Sequence, residues 1–417
     1  MVKKKYEWVN GATLEDHSRR KHTILREYIF QYFVVRCQRP QQERFRLAII
    51  DGFAGGGRYQ CGTSGSPLIF IDELRHATEA VNTHRIVHNF NMIEIKCLLI
   101  LNEADRDAIE LLKTHVAPLY MDIQQMPNLH LRVEYLNDLF ETSYARIKQL
   151  LHKGHYRNVL FNIDQYGHSH AAREILLDIM QSYPSAEIFY TFAIEALISF
   201  LCKSDPKLLA TQLRPLSING ADLDALQDIM NKDRWLGAAE RLVFKAFQTC
   251  APFVSPFSIH NPNGWRYWLI HFANSYRARQ VYNNILHQNS SDQAHFGRSG
   301  LNMLAYDPSH DDGRLYLFDV SGRALAKNQL FEDIPHLISE SGETIGVHKF
   351  YESIYNMTPA HTDDMHMAII ENPDIQVITP TGGGERRKAS TIAINDVLKI
   401  KPQRSFFPVF FRGSKTD

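Results

Sequence analysis

The sequence predicts an α/β protein built on a doubly wound, mostly parallel sheet, with a helical insertion and a smaller α+β unit near its end. Three observations predict it. Apolar runs rich in β-branched and aromatic residues alternate with helical patterns over the first two hundred positions. A glycine cluster, "DGFAGGG", closes the first such run where ligands of doubly wound sheets sit, at the carboxyl ends of the strands. Beyond about residue 330 short helices precede a hairpin pattern, "DIQVITPTGGGERRKASTIAIND".

The first element is an amphipathic helix, "EDHSRRKHTILREYIFQYFVVRC", with Ile24, Leu25, Tyr28, Ile29, Tyr32 and Phe33 at helical spacing. It belongs to an N-terminal helical segment, 1–44. Buried strands are expected at 45–53, 96–101, 129–135, 158–163, 187–192 and 265–272, and helices at 104–116, 140–154 and 171–183. These make up a main domain over 45–320. The stretch 197–251 reads as helical with Pro and Asn-Gly punctuation, which places a helical insertion at about 197–260. The end unit, 330–417, reads as winged-helix-like.

A chain of 417 residues with 46 basic and 46 acidic side chains cannot hold nucleic acid by sheer charge, so any ligand surface must be local. Five scattered cysteines without a C-x-x-C pair suggest neither a zinc knuckle nor a disulfide framework, and fit a reducing cytoplasm. No stretch approaches the ~20 apolar residues of a membrane span, so no membrane is expected.

The glycine cluster is not a phosphate loop, because Arg58 and Tyr59 follow where a lysine and a hydroxyl residue are needed. Nor do its glycines match the dinucleotide register. The pattern that fits is acid-x-Phe-x-Gly-x-Gly, met by Asp51, Phe53, Gly55 and Gly57, with Gly52 and Ala54 between them. A sulfonium cofactor has no phosphate to cradle; it needs close contact with bare backbone and an acid to balance its charge. The alternative is a mobile surface loop. The loop is expected to be exposed, so that a side chain at Gly55 would block a ligand and spare the fold.

Glu103 follows the second strand, where an acid can receive ribose hydroxyls, although it lies 52 residues beyond Asp51 where a compact unit has ~20. It also reads as a helix-capping surface acid. Asn137 and Asp138 end the third strand, suited either to an adenine amino group or to capping the next helix. At the end of the fourth strand Asn162, Asp164 and Tyr166 resemble the Asp-Pro-Pro-Tyr motif of amino-methylating enzymes, with Gln165 in place of the prolines. There a polar group accepts from an NH₂ while the aromatic ring stacks. The rival reading has Asp164 capping the helix that begins near His170 and Tyr166 filling the wall of the sheet.

With "DHSRRKHTILREYI", "IDGFAGGGRYQCGTSGSPLIF", "LNEAD", "NIDQYG" and "HFANSYRARQ" in this order, the chain resembles the three-Cys-motif partner protein family over about 8–307. The resemblance implies a class I methyltransferase-like, Rossmann-like fold, a bacterial setting and a neighbouring partner protein with a cysteine triplet. It also implies site roles for His17, Lys21, Asp51 to Gly57, Ser66, Pro67, Glu103 and the segment Asp164 to Gly167. His17 and Lys21 fit a solvated helix face equally well.

The expected function is S-adenosylmethionine-dependent methyl transfer to a nucleic acid or a nucleobase-like amine, with no metal. Asp51, Gly52, Phe53, Ala54, Gly55, Gly57, Glu103 and Asp138 would bind the cofactor. Asp164, Tyr166 and Asn162 would hold the acceptor, and His17, Lys21, Ser66 and Pro67 would lie near it. Two alternatives stand beside it: a non-catalytic subunit binding nucleotide or nucleic acid, and a nuclease holding Mg²⁺ on Asp51, Glu103 and Asp164. Arg386, Arg387 and Lys388 are expected at the tip of the end-unit hairpin, where they would touch a phosphate backbone or simply be solvated.

Overall fold

A computed structural model describes residues 7–165, 171–201, 204–218, 232–259, 266–289, 294–296, 315–317, 320–381 and 384–402. Tyr166, Gly167 and His170 of the sequence reading lie outside them.

The chain opens with helix α1 (Asp16–Arg36) and then alternates: β1 (Arg44–Asp51), α2 (Ser66–Val87), β2 (Glu94–Asn102), α3 (Arg106–Gln124), β3 (Leu129–Leu136), α4 (Phe140–Lys153), β4 (Asn158–Ile163), α5 (Arg173–Ser182) and β5 (Ser185–Phe192). Helices α6 (Ile194–Phe200), α7 (Pro206–Leu213) and α8 (Lys232–Gln248) follow. The sheet resumes with β6 (Phe253–Ser255), β7 (Ser258–Ile259) and β8 (Tyr267–Ala273), and α9 (Tyr276–Gln288) packs back against it. Strands β6 and β7 correct the expected extent of the helical insertion, about 197–260, whose last helix ends at Gln248; at three and two residues they are too short to show alternation.

The sheet order is β3-β2-β1-β4-β5-β8-β6, with β7 also on β8. Neighbours among β1 to β5 are parallel, while β8 runs against β5, β6 and β7. The pleat divides β1 between two cores. Leu47 and Ile49 join the cluster under α1, α2, α3 and α9; Ala48 and Ile50 join the one under α4 to α8. Because strand order reverses direction on either side of β1, a crevice opens at the carboxyl ends of β1 and β4.

The remainder forms a smaller unit. Strands β9 (Ala294–Phe296) and β10 (Leu315–Leu317) pair with each other. Then come α10 (Val320–Glu340), β11 (Thr344–Gly346), α11 (Val347–Ile354), α12 (Thr362–Glu371), β12 (Ile375–Ile378), β13 (Glu385–Arg386) and β14 (Val397–Ile400), whose sheet order is β11-β14-β12-β13. Among the described residues no helix is long and apolar enough to cross a membrane.

Candidate functional site

The turn after β1 is tied to the end of β2 by backbone and side chain alike. Ala54 N donates to the Asn102 carbonyl at 2.9 Å, and Asn102 Nδ2 donates to the carbonyls of Gly52 at 3.0 Å and Asp138 at 3.1 Å. Gly55, at φ +62°, donates its N–H to Glu103 Oε2 at 2.8 Å, while Oε1 of the same carboxylate accepts from Asp105 N at 2.9 Å. Glu103 thus joins the glycine turn to the start of α3. The cap of α3 itself is Asp105, which accepts from the N–H groups of Asp107 and Ala108. Phe53 lies half-buried on Phe140, ring centres 5.6 Å apart. Asp138 is exposed, with Oδ1 accepting from Leu139 N at 2.7 Å.

The turn is not exposed. Gly55, Gly56 and Gly57 are buried, and the indole of Trp8 lies across the first two. A Cβ on Gly55 would stand 2.3 Å from that ring and one on Gly56 2.9 Å from the Trp8 Cβ. The expectation that a side chain at Gly55 would spare the fold is therefore corrected. Trp8 is held by the chain around it: Gly11 N donates to the Trp8 carbonyl, Gln60 N to the Ala12 carbonyl, and Tyr59 packs 5.1 Å from the indole. Nothing local marks this cover, since Trp8 carries no motif and precedes Gly55 by 47 positions.

A second cluster fills the crevice between β1 and β4. Asp51 is fully buried; its Oδ1 accepts from Asn162 Nδ2 at 3.1 Å, and its Oδ2 meets no donor. Burial pushes its carboxyl up to about 7, against the opposing pull of Ser66 and Asn162. Ser66 and Pro67 open α2, with Gly65 as the N-cap and the proline in the first turn, where no hydrogen bond is lost. Among the described residues Asp164 caps no helix. Its Oδ1 accepts from Lys21 Nζ, which arrives from α1, and the capping position of α5 is Ala172. Burial would raise the Asp164 carboxyl, but the charge and hydrogen bond of Lys21, aided by the Thr191 hydroxyl, hold it below the usual carboxylate range.

Gln165 is buried rather than presented to a ligand: its Nε2 donates to the Tyr190 hydroxyl at 2.7 Å and its Oε1 accepts from Ala171 N at 3.0 Å. Asn162 donates through Nδ2 to Asp51 and lines the same cavity as Asp164. His17 and Lys21, one turn apart, are buried and not on a solvated face. His17 stacks on Tyr267 with ring centres 4.4 Å apart, and burial and the Lys21 charge lower its imidazole to about 4.

Sequence reasoning missed His22, which is also lowered to about 4 by burial, and Thr191. With Lys21, Ser66, Asn162 and Asp164, and with the apolar Leu25, Phe189 and Leu269, they line a small cavity with room for roughly one water. Asp51, Glu103 and Asp164 do not converge, and among the described residues no group of three His, Cys, Asp or Glu side chains could hold a metal ion. A scan of protein-family models and a search of curated proteins give no match to the chain.

Proposed function

We propose that the chain is an S-adenosylmethionine-dependent methyltransferase of the three-Cys-motif partner type, acting on a nucleobase-like amine or a nucleic acid. The observation that supports this best is the glycine turn bound through Gly55 N–H to an acid at the end of the next strand, at the switch point of the sheet. A dinucleotide-binding sheet runs 3-2-1-4-5-6 in parallel; the reversed β8 inserted between β5 and β6 fits the methyltransferase variant instead.

The donor set suits that cofactor. Glu103 would receive the ribose hydroxyls, exposed Asp138 the adenine amino group, and the buried, unpartnered Oδ2 of Asp51 the cationic end. When bound, the cofactor supplies an activated methyl group. Lys21 keeps Asp164 ionised and therefore able to accept hydrogen bonds from an NH₂ donor. His22, neutral at physiological pH, adds a ring nitrogen, Nδ1, that has no partner. Trp8 lies where bare backbone would meet the ligand, so its indole must swing aside. The end unit, helix, strand, two helices and then three strands, reads as winged-helix-like, suited to a nucleic acid or to the three-cysteine partner protein.

Calorimetric titration with S-adenosylhomocysteine tests this reading. Wild-type protein should bind at micromolar Kd, and Trp8→Ala should bind about 3- to 10-fold more tightly because the covered state no longer competes. Absence of binding to both proteins would overturn the proposal in favour of a non-catalytic binding subunit, the reading that the Trp8 cover itself favours.

A further inference from the structure

The opposite end of the sheet carries a feature that the proposed function does not use. Arg36 at the end of α1, Arg39 in the loop after it, Arg44 and Arg46 at the start of β1, and Arg277 in the first turn of α9 line one cleft of about 480 Å³. Among the described residues no carboxylate lines it. Glu94, which pairs with Arg44 at 3.0 Å, is shared with Lys96 and His130. Arg46 lies over the Tyr156 ring at 4.5 Å, and Arg36 donates to Asn158 Oδ1. Both contacts are with neutral groups.

Five guanidiniums gathered in one cleft of a chain with no net charge repel one another, and an anion relieves that repulsion. The loop that presents Arg39 is also held rigid from beneath. Buried Arg85 donates to the carbonyls of Cys37, Arg39, Pro40 and Gln42, at 2.7 to 3.1 Å, and to that of Asn91 at 2.6 Å. Such a scaffold fixes the backbone of the loop before any ligand arrives. Phe45, the aromatic of the cleft, is buried, so among the described residues lining the cleft no exposed ring offers a face to a base. The planar, forked donors match phosphate oxygens.

We propose that this arginine cleft at the amino-terminal edge of the sheet binds the phosphates of a polyanion, with the phosphodiester backbone of a nucleic acid or a free pyrophosphate group as the source. It stands apart from the methyltransferase reading, because none of its residues lines the crevice at the other end.

The test is fluorescence anisotropy with a labelled mixed-sequence oligonucleotide, single-stranded and duplex, and pyrophosphate as competitor. The full-length protein is compared with Arg39→Ala/Arg277→Ala and with Arg387→Ala/Lys388→Ala, a pair of equal charge in the end unit. Both cleft arginines are exposed, so the fold should survive, which the thermal melt checks. Expected is a loss of about tenfold or more in affinity for the cleft pair at moderate salt. The slope of log K against log salt should fall by about 1.4 to 1.8, as for two lost phosphate contacts. Displacement by pyrophosphate with oligonucleotide binding identifies nucleic acid as the source. Calorimetric binding of pyrophosphate with no oligonucleotide binding identifies the free anion. Unchanged binding in a folded cleft variant, loss only in the end-unit variant, or binding of neither probe overturns the proposal.

Discussion

Asp51 is the residue at which the site and the stability of the protein meet. Its folded carboxyl holds a proton up to about 7, whereas an unfolded one releases it near 3.8, so the native state binds more protons in that window. Stability from this group is full below 3.8 and is lost as pH rises through 7. The buried rings of His17 and His22 act in the opposite direction. They stay neutral down to about 4 in the native state, so stability falls as pH drops from the ordinary value of 6.5 toward 4. Asp51→Asn removes the first term and leaves the second. The variant should be more stable than wild type by about 2 to 4 kcal/mol at pH 8, from a shift of some three pKa units at ~1.36 kcal/mol each, and the gap should close near pH 4. Denaturant melts of both proteins from pH 4 to 8 check this; a gap that does not change with pH would show that Asp51 is ionised in the native state. The same titration gives a signature of ligand: a cation seated beside Oδ2 would favour the carboxylate and release a proton on binding.

At the scale of elements, the end-unit hairpin corrects the expected phosphate contact. The tip is the turn between β12 and β13, and Arg386 stands on β13 itself, its guanidinium donating to both oxygens of buried Asp396 at 3.0 and 3.3 Å. Only Arg387 and Lys388 of the three are exposed. Arg386→Ala would leave Asp396 with the Ala393 N–H at 2.8 Å as its remaining donor and should cost about 2 to 3 kcal/mol. Arg387→Ala and Lys388→Ala should each stay within about 0.5 kcal/mol. Urea denaturation of the three variants separates these roles, and equal small effects would mean that the Asp396 pair contributes nothing. The hairpin was readable because β-branched residues flank a glycine turn; the pair was not, since nothing local marks Asp396 as buried. The same division runs through the main sheet. Strands β1, β2, β4 and β5 were legible because burial on both faces demands largely unbroken apolar runs, edge strand β3 because its apolar residues alternate with polar ones, and the glycine turn because its residues are contiguous. Lys21 meeting Asp164 across 143 positions, and Trp8 covering Gly55, arise only when α1 and the segment before it dock on the carboxyl edge. Gln165 looked like a departure within a motif, yet burial explains it: it bonds Tyr190 and Ala171.

Over the whole molecule, Asp51 lies five residues beyond Arg46 and seven beyond Arg44 along β1, which at ~3.3 Å each sets the arginine cleft about 17 to 23 Å from Asp51. Phosphates held at one end therefore lie far from the crevice at the other. What holds the end unit to this frame is one face of α9. Arg279 Nε donates to the Tyr355 carbonyl at 2.8 Å, Asn283 Nδ2 to the Thr358 carbonyl at 3.0 Å, and His287 Nε2 lies 2.9 Å from the Pro359 carbonyl. The three side chains recur every fourth residue, and all are buried. Next to them Asn284 Oδ1 accepts from Thr362 N and its hydroxyl, and Val254 N of β6 donates to Asn356 Oδ1. Apolar packing is continuous as well: Leu330, Phe350 and Tyr355 belong to the same cluster as Ile24, Leu47 and Tyr282. A shared core and a buried polar seam predict that sheet and end unit unfold together. Calorimetry should show one transition, with near-UV and far-UV signals falling at the same temperature. Asn283→Ala strips two donations from the seam and leaves the Ala360 carbonyl without that donor, so the single transition should move down by about 2 to 3 kcal/mol with no second step. Two separated transitions in the wild type would mean that the seam is a docking contact between independently stable units, and Asn283→Ala would then lower neither.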